Sequence, residues 1–456
     1  MHKKIDFKTQ RFAVVGIGET GLSIINYLKF CEANIVRVFD TRDSPPNQGN
    51  LTNIELICGK LNIENFNNID VIVISPGVSI YEEALQKAQQ SGLLIVGDIE
   101  LFALAIKSWK SKVIGITGSN GKTTVTTLTG HLLQSLGYKT LVAGNIGVPV
   151  LSSFLEITKS NDFPDVIVLE LSSFQLESLY SLNLDSATVL NISEDHLDRY
   201  RDLLEYAYVK ANIFNNCKVQ IINSDDALVM AMKRQGLKTV EFGKNNVDFS
   251  LNKEDGFLYL TMQGKKILDC AKLQLIGIHN YFNVLASLAL LYGAEIDITN
   301  NRITAALMEF TGLEHRMQKV LDYNGILFIE DSKGTNVGAV VAGISGLDRP
   351  VNLILGGDGK GQDFTPLRDL VKDKCNSVAV IGQDKQGIIN VLSGLNLPIE
   401  ECDTLEEAID FCYKNAIDGD SVVLSPACAS WDMFRDYKHR AQIFVDYANS
   451  LVKKEL

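Results

Sequence analysis

The sequence predicts an α/β protein of three domains, each with a mostly parallel sheet flanked by helices. Three observations carry the prediction. Short runs rich in Val and Ile recur between helical patterns: RFAVVGIG, IVRVFD, VIVISPG, KVIGITG, VIVLELS, ATVLNIS, ILFIED, VNLILGG, SVAVIG and SVVLSPA. They lack polar alternation, so each strand is buried on both faces, the condition of a parallel sheet covered by helices. They end in Gly, Asp, Ser or Asn, where α/β folds carry ligand-binding loops. The chain has 456 residues, and at about 150 per domain that gives three.

Composition narrows the function. Lys and Arg number 43 against 55 Asp and Glu, a net charge of −12. That balance argues against nucleic acid or an anionic membrane as partner. Eight cysteines lie far apart with no C-x-x-C pair, which suits reduced thiols in the cytoplasm and not a disulfide framework or zinc site. The basic start MHKKIDFKTQ runs into a strand where a signal peptide would have a longer apolar stretch. No apolar run approaches the roughly 18 residues of a membrane span. A cytoplasmic protein acting on small molecules is expected, and a monomer, since three domains can build a site within one chain.

The first run feeds GIGETG, Gly16 to Gly21, and the second ends in Asp40-Thr41-Arg42. Together they fit the fingerprint G-x-G-x-x-G with an acid about 20 residues on. A nicotinamide dinucleotide fits this cradle, and so does another diphosphate, since Asp40 and Arg42 offer an acceptor and a cation together. Glu19 places an acid inside the loop. GDIELFALAIKSWKSK reads as a helix leading into the next strand, and EFTGLEHRMQKVLDYNG precedes ILFIEDSKG. These mark boundaries for domains 1–100, 101–312 and 313–456.

KVIGITGSNGKTTVTTLTGHLL is the strongest local motif: a strand, a Gly-rich loop, then Lys122-Thr123 opening a helix. Backbone N–H groups at a helix start suit phosphate oxygens. Lys122 can reach the β- and γ-phosphates of ATP, and the Thr123 hydroxyl can coordinate Mg²⁺. The strict P-loop pattern wants Gly at position 116, where this chain has Ile116; the loop is a shorter variant. In VIVLELSSFQLE, Glu170 ends a buried run, either as a Mg²⁺ ligand or as a strand-end acid in solvent. In ATVLNISEDHLDRY, His196 can ligate a metal or cap the next helix. Lys210 lies in the apolar helix EYAYVKANIFNN, either buried or extended to the surface.

In the last third, IEDSKGTNVGA, LILGGDGKGQDF and LSPACASWDMF each end a strand with polar residues. Lys333 and Lys360 make this rim suit an anionic substrate. His279-Asn280 and Asn283 precede the apolar helix VLASLALLYG, and amide side chains can read a purine edge.

GITGSNGKTT, GNIGVP, LELSSFQLE, NISEDHLDRY, GIHNYFN, TGLEHRMQ, EDSKGTN, LGGDGKG and LSPACASWDMF occur in this order. The ordered set, covering nearly the whole chain, resembles the bacterial Mur ligases. Asn120 in GSNGKTT differs from the His expected in the members that add L-alanine, while SSFQLE and LSPACAS resemble those that add D-glutamate. The resemblance implies a Rossmann-like N-terminal domain, a P-loop-type central ATPase domain and a Rossmann-like C-terminal domain. It implies ATP-dependent amide-bond formation on UDP-N-acetylmuramoyl-L-alanine through an acyl phosphate, with ATP, two Mg²⁺ sites and Lys210 as its carbamate. By matching position, Gly118, Ser119, Asn120, Gly121, Lys122, Thr123 and Thr124 hold the ATP phosphates. Asn280 and Asn283 face adenine, and Arg316 and Asp331 the rest of the nucleotide. Thr123 and Glu170 hold one Mg²⁺, His196 and Lys210 the other. Gly18, Thr20, Asp40, Thr41, Arg42 and Gly77 take the UDP moiety, and Asn145 the muramoyl group. Lys333, Thr335, Lys360, Ser425 and Phe434 take D-glutamate or the acyl phosphate. The alternatives are a folylpolyglutamate-type ligase and, from another class, a nicotinamide-dependent oxidoreductase.

Overall fold

A computed structural model describes residues 5–51, 54–196, 199–244, 246–275 and 277–454. The basic Met1–Lys4 of the sequence start lies outside them. Three sheets are present, as the strand pattern predicts.

The first contains β1 (Arg11–Val15), β2 (Asn34–Asp40), β3 (Glu55–Cys58), β4 (Val71–Ile74) and β5 (Leu94–Gly97), all parallel, in the order β3-β2-β1-β4-β5. The chain reverses direction across the sheet at β1, the place where such sheets open a ligand crevice.

The second sheet has nine strands. They are β6 (Lys112–Thr117), β7 (Thr140–Gly144), β8 (Val166–Glu170), β9 (Leu184–Val189), β10 (Cys217–Asn223), β11 (Lys238–Gly243), β12 (Phe249–Glu254), β13 (Phe257–Met262) and β14 (Lys265–Asp269). Their order is β14-β13-β12-β11-β10-β9-β6-β8-β7. β6 to β12 pair in parallel, and β13 turns back antiparallel to β12. The β12-to-β14 edge is unlike the buried runs of the sequence reading. Asp255-Gly256 and Gln263-Gly264 both have positive φ, the signature of two-residue hairpin turns.

The third sheet holds β15 (Gln318–Tyr323), β16 (Ile326–Glu330), β17 (Val351–Gly356), β18 (Cys375–Ile381), β19 (Ile399–Glu401) and β20 (Ser421–Leu424), ordered β15-β16-β20-β17-β18-β19. Only β15 is antiparallel, joined to β16 by Asn324-Gly325, again at positive φ.

The chain forms two compact units, Met1–Leu268 with Val284–Ala306, and Asp269–Asn283 with Leu307–Leu456. Within the first unit the first two sheets share one apolar core. Phe154 stands at the join, edge-on to Tyr27 at 5.6 Å and stacked on Trp109 at 5.4 Å. Among the described residues no helix is long and apolar enough to cross a membrane, and all eight cysteines are free thiols.

Candidate active site

In the first sheet β1 lies between β2 and β4, so the GIGETG loop, Asp40 and the turn Ser75–Val78 are neighbours. Gly16 has φ +88°, and a Cβ there would stand 3.0 Å from Ser75 and Val78 side-chain carbons. At Gly21 a Cβ would lie 1.8 Å from the Gly16 carbonyl oxygen, so the helix Glu19–Phe30 seats against the loop only because both are glycine. Glu19 is exposed at the helix start. Gly18 and Gly77 leave open space where a Cβ would sit, and Thr20 is half-buried.

Asp40 is buried and already occupied. Its carboxylate accepts hydrogen bonds from the Ile17 N–H (2.9 Å), the Arg42 N–H (3.0 Å), Arg42 Nε (2.8 Å) and Arg42 Nη2 (2.7 Å). The Arg42 guanidinium, with these N–H groups, holds it down at about 2 despite burial. A carboxylate has about four lone-pair sites, so Asp40 shapes its loop, while Arg42 and exposed Thr41 are what the pair presents.

In the second sheet β9, β6, β8 and β7 are adjacent, which gathers the loops after them. Gly118 and Gly121 have φ +154° and +82°, turning the chain from β6 into the helix Lys122–Ser135. The loop is braced by its neighbour: Asn120 N–H donates to Asn191 Oδ1 (2.8 Å), and Ser193 N–H to Ser119 Oγ (2.9 Å). Lys122 Nζ folds back on the carbonyls of Gly118 (2.8 Å) and Ser119 (2.9 Å). Thr123 is half-buried and Thr124 buried in the first helical turn.

Glu170 is 2% exposed. Asn145 Nδ2 donates to its Oε1 at 3.0 Å, while Oε2 is buried with no hydrogen-bond partner. A bare buried carboxylate oxygen suits a cation and not a solvent-facing acid. Lys210 is 1% exposed, so it does not reach the surface. Its Nζ donates to the Gly118 carbonyl (2.9 Å) and to Thr117 Oγ1 (3.4 Å), and lies 4.6 Å from the Tyr206 ring centroid. Burial drives its ammonium well below the usual lysine value, and Lys122 adds like-charge repulsion. His196, at φ +56°, is partly exposed, with its ring 4.7 Å from Phe174 and 6.4 Å from Tyr206. It caps no helix here; Asp202 caps the helix Leu203–Ala211 by accepting from the Glu205 N–H. Tyr206 thus touches Ser119, Lys210 and His196 together.

In the second unit β16, β20 and β17 are adjacent, so the three polar strand ends form one rim. Asp358 and Ala429 exchange backbone hydrogen bonds, and the Ala427 N–H donates to the Gly334 carbonyl. Asp331 is buried, accepts from Ser425 Oγ at 2.6 Å, and is pushed up to about 7 by burial. Ser425 is fully buried, so its hydroxyl serves Asp331. Lys333 is exposed, with Nζ 3.2 Å from Tyr437 Oη and over its ring. Thr335 and Arg316 are half-buried beside this rim's first strand end, and exposed Lys360 sits at φ +52°. Phe434 packs near His439 in an apolar cluster; the aromatic beside Lys333 is Tyr437. Asn280 and Asn283 are buried in the first turns of the helix Ile278–Gly293, not ahead of it, with Asn283 Nδ2 donating to Asn280 Oδ1 (3.0 Å).

Sequence reading missed Tyr437 and Arg440. Arg440 is fully buried, donating from Nε to Ser332 Oγ (2.8 Å) and from Nη2 to the Ser332 carbonyl (2.9 Å) and the Cys428 carbonyl (3.2 Å). Burial lowers it to about 10. No local signal marks it, since its partners lie 108 and 12 residues away.

Known proteins resemble this chain over nearly its whole length. Residues 10–97 match the model of the Mur ligase MurD-like N-terminal domain, 116–291 the Mur ligase middle domain, and 315–428 the Mur ligase glutamate ligase domain. The UDP-N-acetylmuramoylalanine–D-glutamate ligase of Chromobacterium violaceum is 47% identical, over 97% of this chain and 98% of its own. That of Methylobacillus flagellatus is 45% identical, over 99% of both. The structure of MurF ligase from Thermotoga maritima in complex with ADP superposes with a TM-score of 0.62 at 15% identity, covering 99% of this chain and all of that one, and shares the fold. With three family domains in order and full-length relatives at this identity, the chain belongs to the Mur ligase family.

Proposed function

We propose that this chain is an ATP-dependent, ADP-forming ligase that joins D-glutamate to UDP-N-acetylmuramoyl-L-alanine, a cytoplasmic step of peptidoglycan synthesis. The observation that carries the reading is the convergence of the Lys122 loop, the bare Glu170 oxygen and buried Lys210 at adjacent strand ends. Full-length relatives carrying that enzyme's name support the substrate.

A carboxylate is a poor electrophile until it gains a leaving group. The alanyl carboxylate oxygen attacks the γ-phosphorus of ATP and ADP leaves, giving an acyl phosphate. The D-glutamate nitrogen then attacks the acyl carbon, the C–O bond to phosphate breaks, and the amine's proton passes to solvent. Lys122 and the N–H groups of residues 118–124 steady the phosphate oxygens. Thr123 and Glu170 would hold one Mg²⁺, and His196 and Lys210 a second; bound Mg²⁺ neutralises charge on the transferring phosphoryl group. Burial disfavours the ammonium form of Lys210, which favours bonding of its neutral nitrogen to carbon dioxide with loss of a proton. The resulting carbamate is an anion where an ammonium has no carboxylate partner. Arg42, Thr41 and the GIGETG loop take the UDP end, with Asn145 toward the muramoyl group. Asn280, Asn283, Arg316 and Asp331 are assigned to the nucleotide of ATP. Lys333, Thr335 and Lys360 are assigned to the D-glutamate carboxylates, with Ser425 holding Asp331. Asp40, holding the Arg42 fork in place, completes the UDP end.

Phosphate release from ATP with UDP-N-acetylmuramoyl-L-alanine, assayed with D-glutamate, L-glutamate, glycine, L-alanine and L-lysine, tests the reading. Release confined to D-glutamate is expected. Release with another amino acid moves the specificity, and release with none refutes ligation.

A further inference from the structure

The turn Ser75–Val78, which packs against Gly16, has few backbone ties of its own. The Ser75 N–H donates to the Val15 carbonyl, and the Val78 N–H closes the turn on Ser75. Pro76 has no N–H to offer. The outward carbonyls are held from the second sheet's side by a single guanidinium. Arg199 Nη1 donates to the Pro76 carbonyl (3.2 Å) and Nη2 to the Val78 carbonyl (3.1 Å). The same side chain grips Glu177 with Nε (3.1 Å) and Nη2 (2.5 Å), and Tyr200 Oη donates to Glu177 Oε1 (2.6 Å). Arg199 and Glu177 are 8% and 2% exposed, so this is a desolvated ion pair with nearly every donor used.

Arg199 also reaches toward the chemistry. Its guanidinium carbon lies 3.9 Å from the Phe174 ring centroid, and the His196 ring is 4.7 Å from that ring. The Arg199 and Tyr200 N–H groups both donate to the His196 carbonyl. One residue therefore touches the wall of the cradle after β4, the Glu177 end of the SSFQLE segment, and the turn that carries His196.

We propose that Arg199 is a positioning residue that fixes the Ser75–Val78 turn and the His196 turn to one support, so that UDP-substrate binding and phosphoryl transfer share an alignment. The inference rests on the ligase reading above. The planar fork is essential to it, because a lysine carries one point charge and cannot meet Glu177 and two carbonyls at once.

The test compares wild type with Arg199→Lys, which keeps the charge, and Glu177→Gln, which keeps the shape. Calorimetric titration with UDP-N-acetylmuramoyl-L-alanine, phosphate-release kinetics and thermal melting are measured on each full-length protein. Losing two to three charge-assisted hydrogen bonds predicts about tenfold to a hundredfold weaker UDP-substrate binding and a lower kcat for Arg199→Lys. The KM for ATP stays near wild type while the melting temperature falls, since each variant weakens a buried pair, and Glu177→Gln shows the same binding pattern more weakly. Guanidinium chloride at millimolar concentration restores part of the activity of Arg199→Ala if that variant folds. Arg199→Lys binding and turning over like wild type overturns the proposal. Equal losses for ATP and the UDP substrate, tracking a fall in melting temperature, reveal a merely structural residue and overturn it too. A wild-type protein that does not bind the UDP substrate refutes the ligase reading itself, and this inference with it.

Discussion

Lys210→Met separates a buried lysine that supports the fold from one held in place for chemistry. The three Nζ donors find one good acceptor, the Gly118 carbonyl at 2.9 Å, and one marginal acceptor, Thr117 Oγ1 at 3.4 Å. Glu170 and Asp195 help only through space, and Lys122 opposes them. Burying an ammonium so weakly paired costs several kcal/mol, which disfavours the charged form. Its folded pKa lies below the unfolded value of 10.5, so between the two the unfolded chain binds more protons. Unmodified Lys210 therefore weakens stability below pH 10.5, and the penalty fades as pH rises toward that value. Methionine carries no such penalty. In bicarbonate-free buffer at pH 7 we expect Lys210→Met to be more stable than wild type by about 1–3 kcal/mol, with the gap closing toward pH 10. Urea unfolding followed by fluorescence in a Trp431→Phe background reports on this unit through Trp109. Bicarbonate should raise the wild-type midpoint and leave the variant unmoved, while turnover falls at least about a hundredfold. A variant that loses 3 kcal/mol or more (about the cost of breaking a true buried pair) would refute the argument, as would unchanged turnover.

Other perturbations follow from the same geometry. Glu170→Gln keeps the bond to Asn145 and removes the bare anionic oxygen; kcat should drop by about tenfold to a hundredfold with a higher Mg²⁺ requirement and no loss of melting temperature. Unchanged Mg²⁺ dependence would remove Glu170 from the metal site. Gly21→Ala drives a methyl to 1.8 Å from the Gly16 carbonyl oxygen, so we expect about 1–3 kcal/mol of destabilisation and weakened UDP-substrate binding with the KM for ATP spared, read by urea titration and calorimetry. Asp331 holds its proton up to about 7 against a usual 3.8, so the folded state binds more protons between those values and stability falls as pH rises through them. Asp331→Asn should gain on wild type from pH 4 to 7, by at most on the order of 4 kcal/mol; a pH-independent difference would contradict the burial argument.

The parallel cores were legible because buried strands write themselves as unbroken Val and Ile runs. The sites were legible because each run ends in the polar residues that the sheet order later sets side by side. The β12-to-β14 edge was not, since FSLNKEDGFLYLTMQGKKILD is half-exposed and its signal lies in the turn pairs Asp255-Gly256 and Gln263-Gly264 rather than in its hydrophobicity. Asp40 was legible as the acid after the second strand, while the four donors that meet its carboxylate, three of them from Arg42, were not. Tyr437 beside Lys333 was not legible, since the two lie 104 residues apart and meet only in the fold. For Lys210 burial removes the surface reading, and for His196 the Asp202 cap removes the capping of the helix Leu203–Ala211.

The core common to the first two sheets has a thermal consequence. Tyr27, Phe102, Trp109 and Phe154 interlock across the join, so neither sheet can be excised without uncovering the other's apolar face. Residues 1–100 should not survive as a free-standing fragment, and the two sheets should melt in one transition. The GIGETG cradle and the Lys122 loop would then ride a single rigid body, their spacing set when the protein folds and not when a ligand arrives.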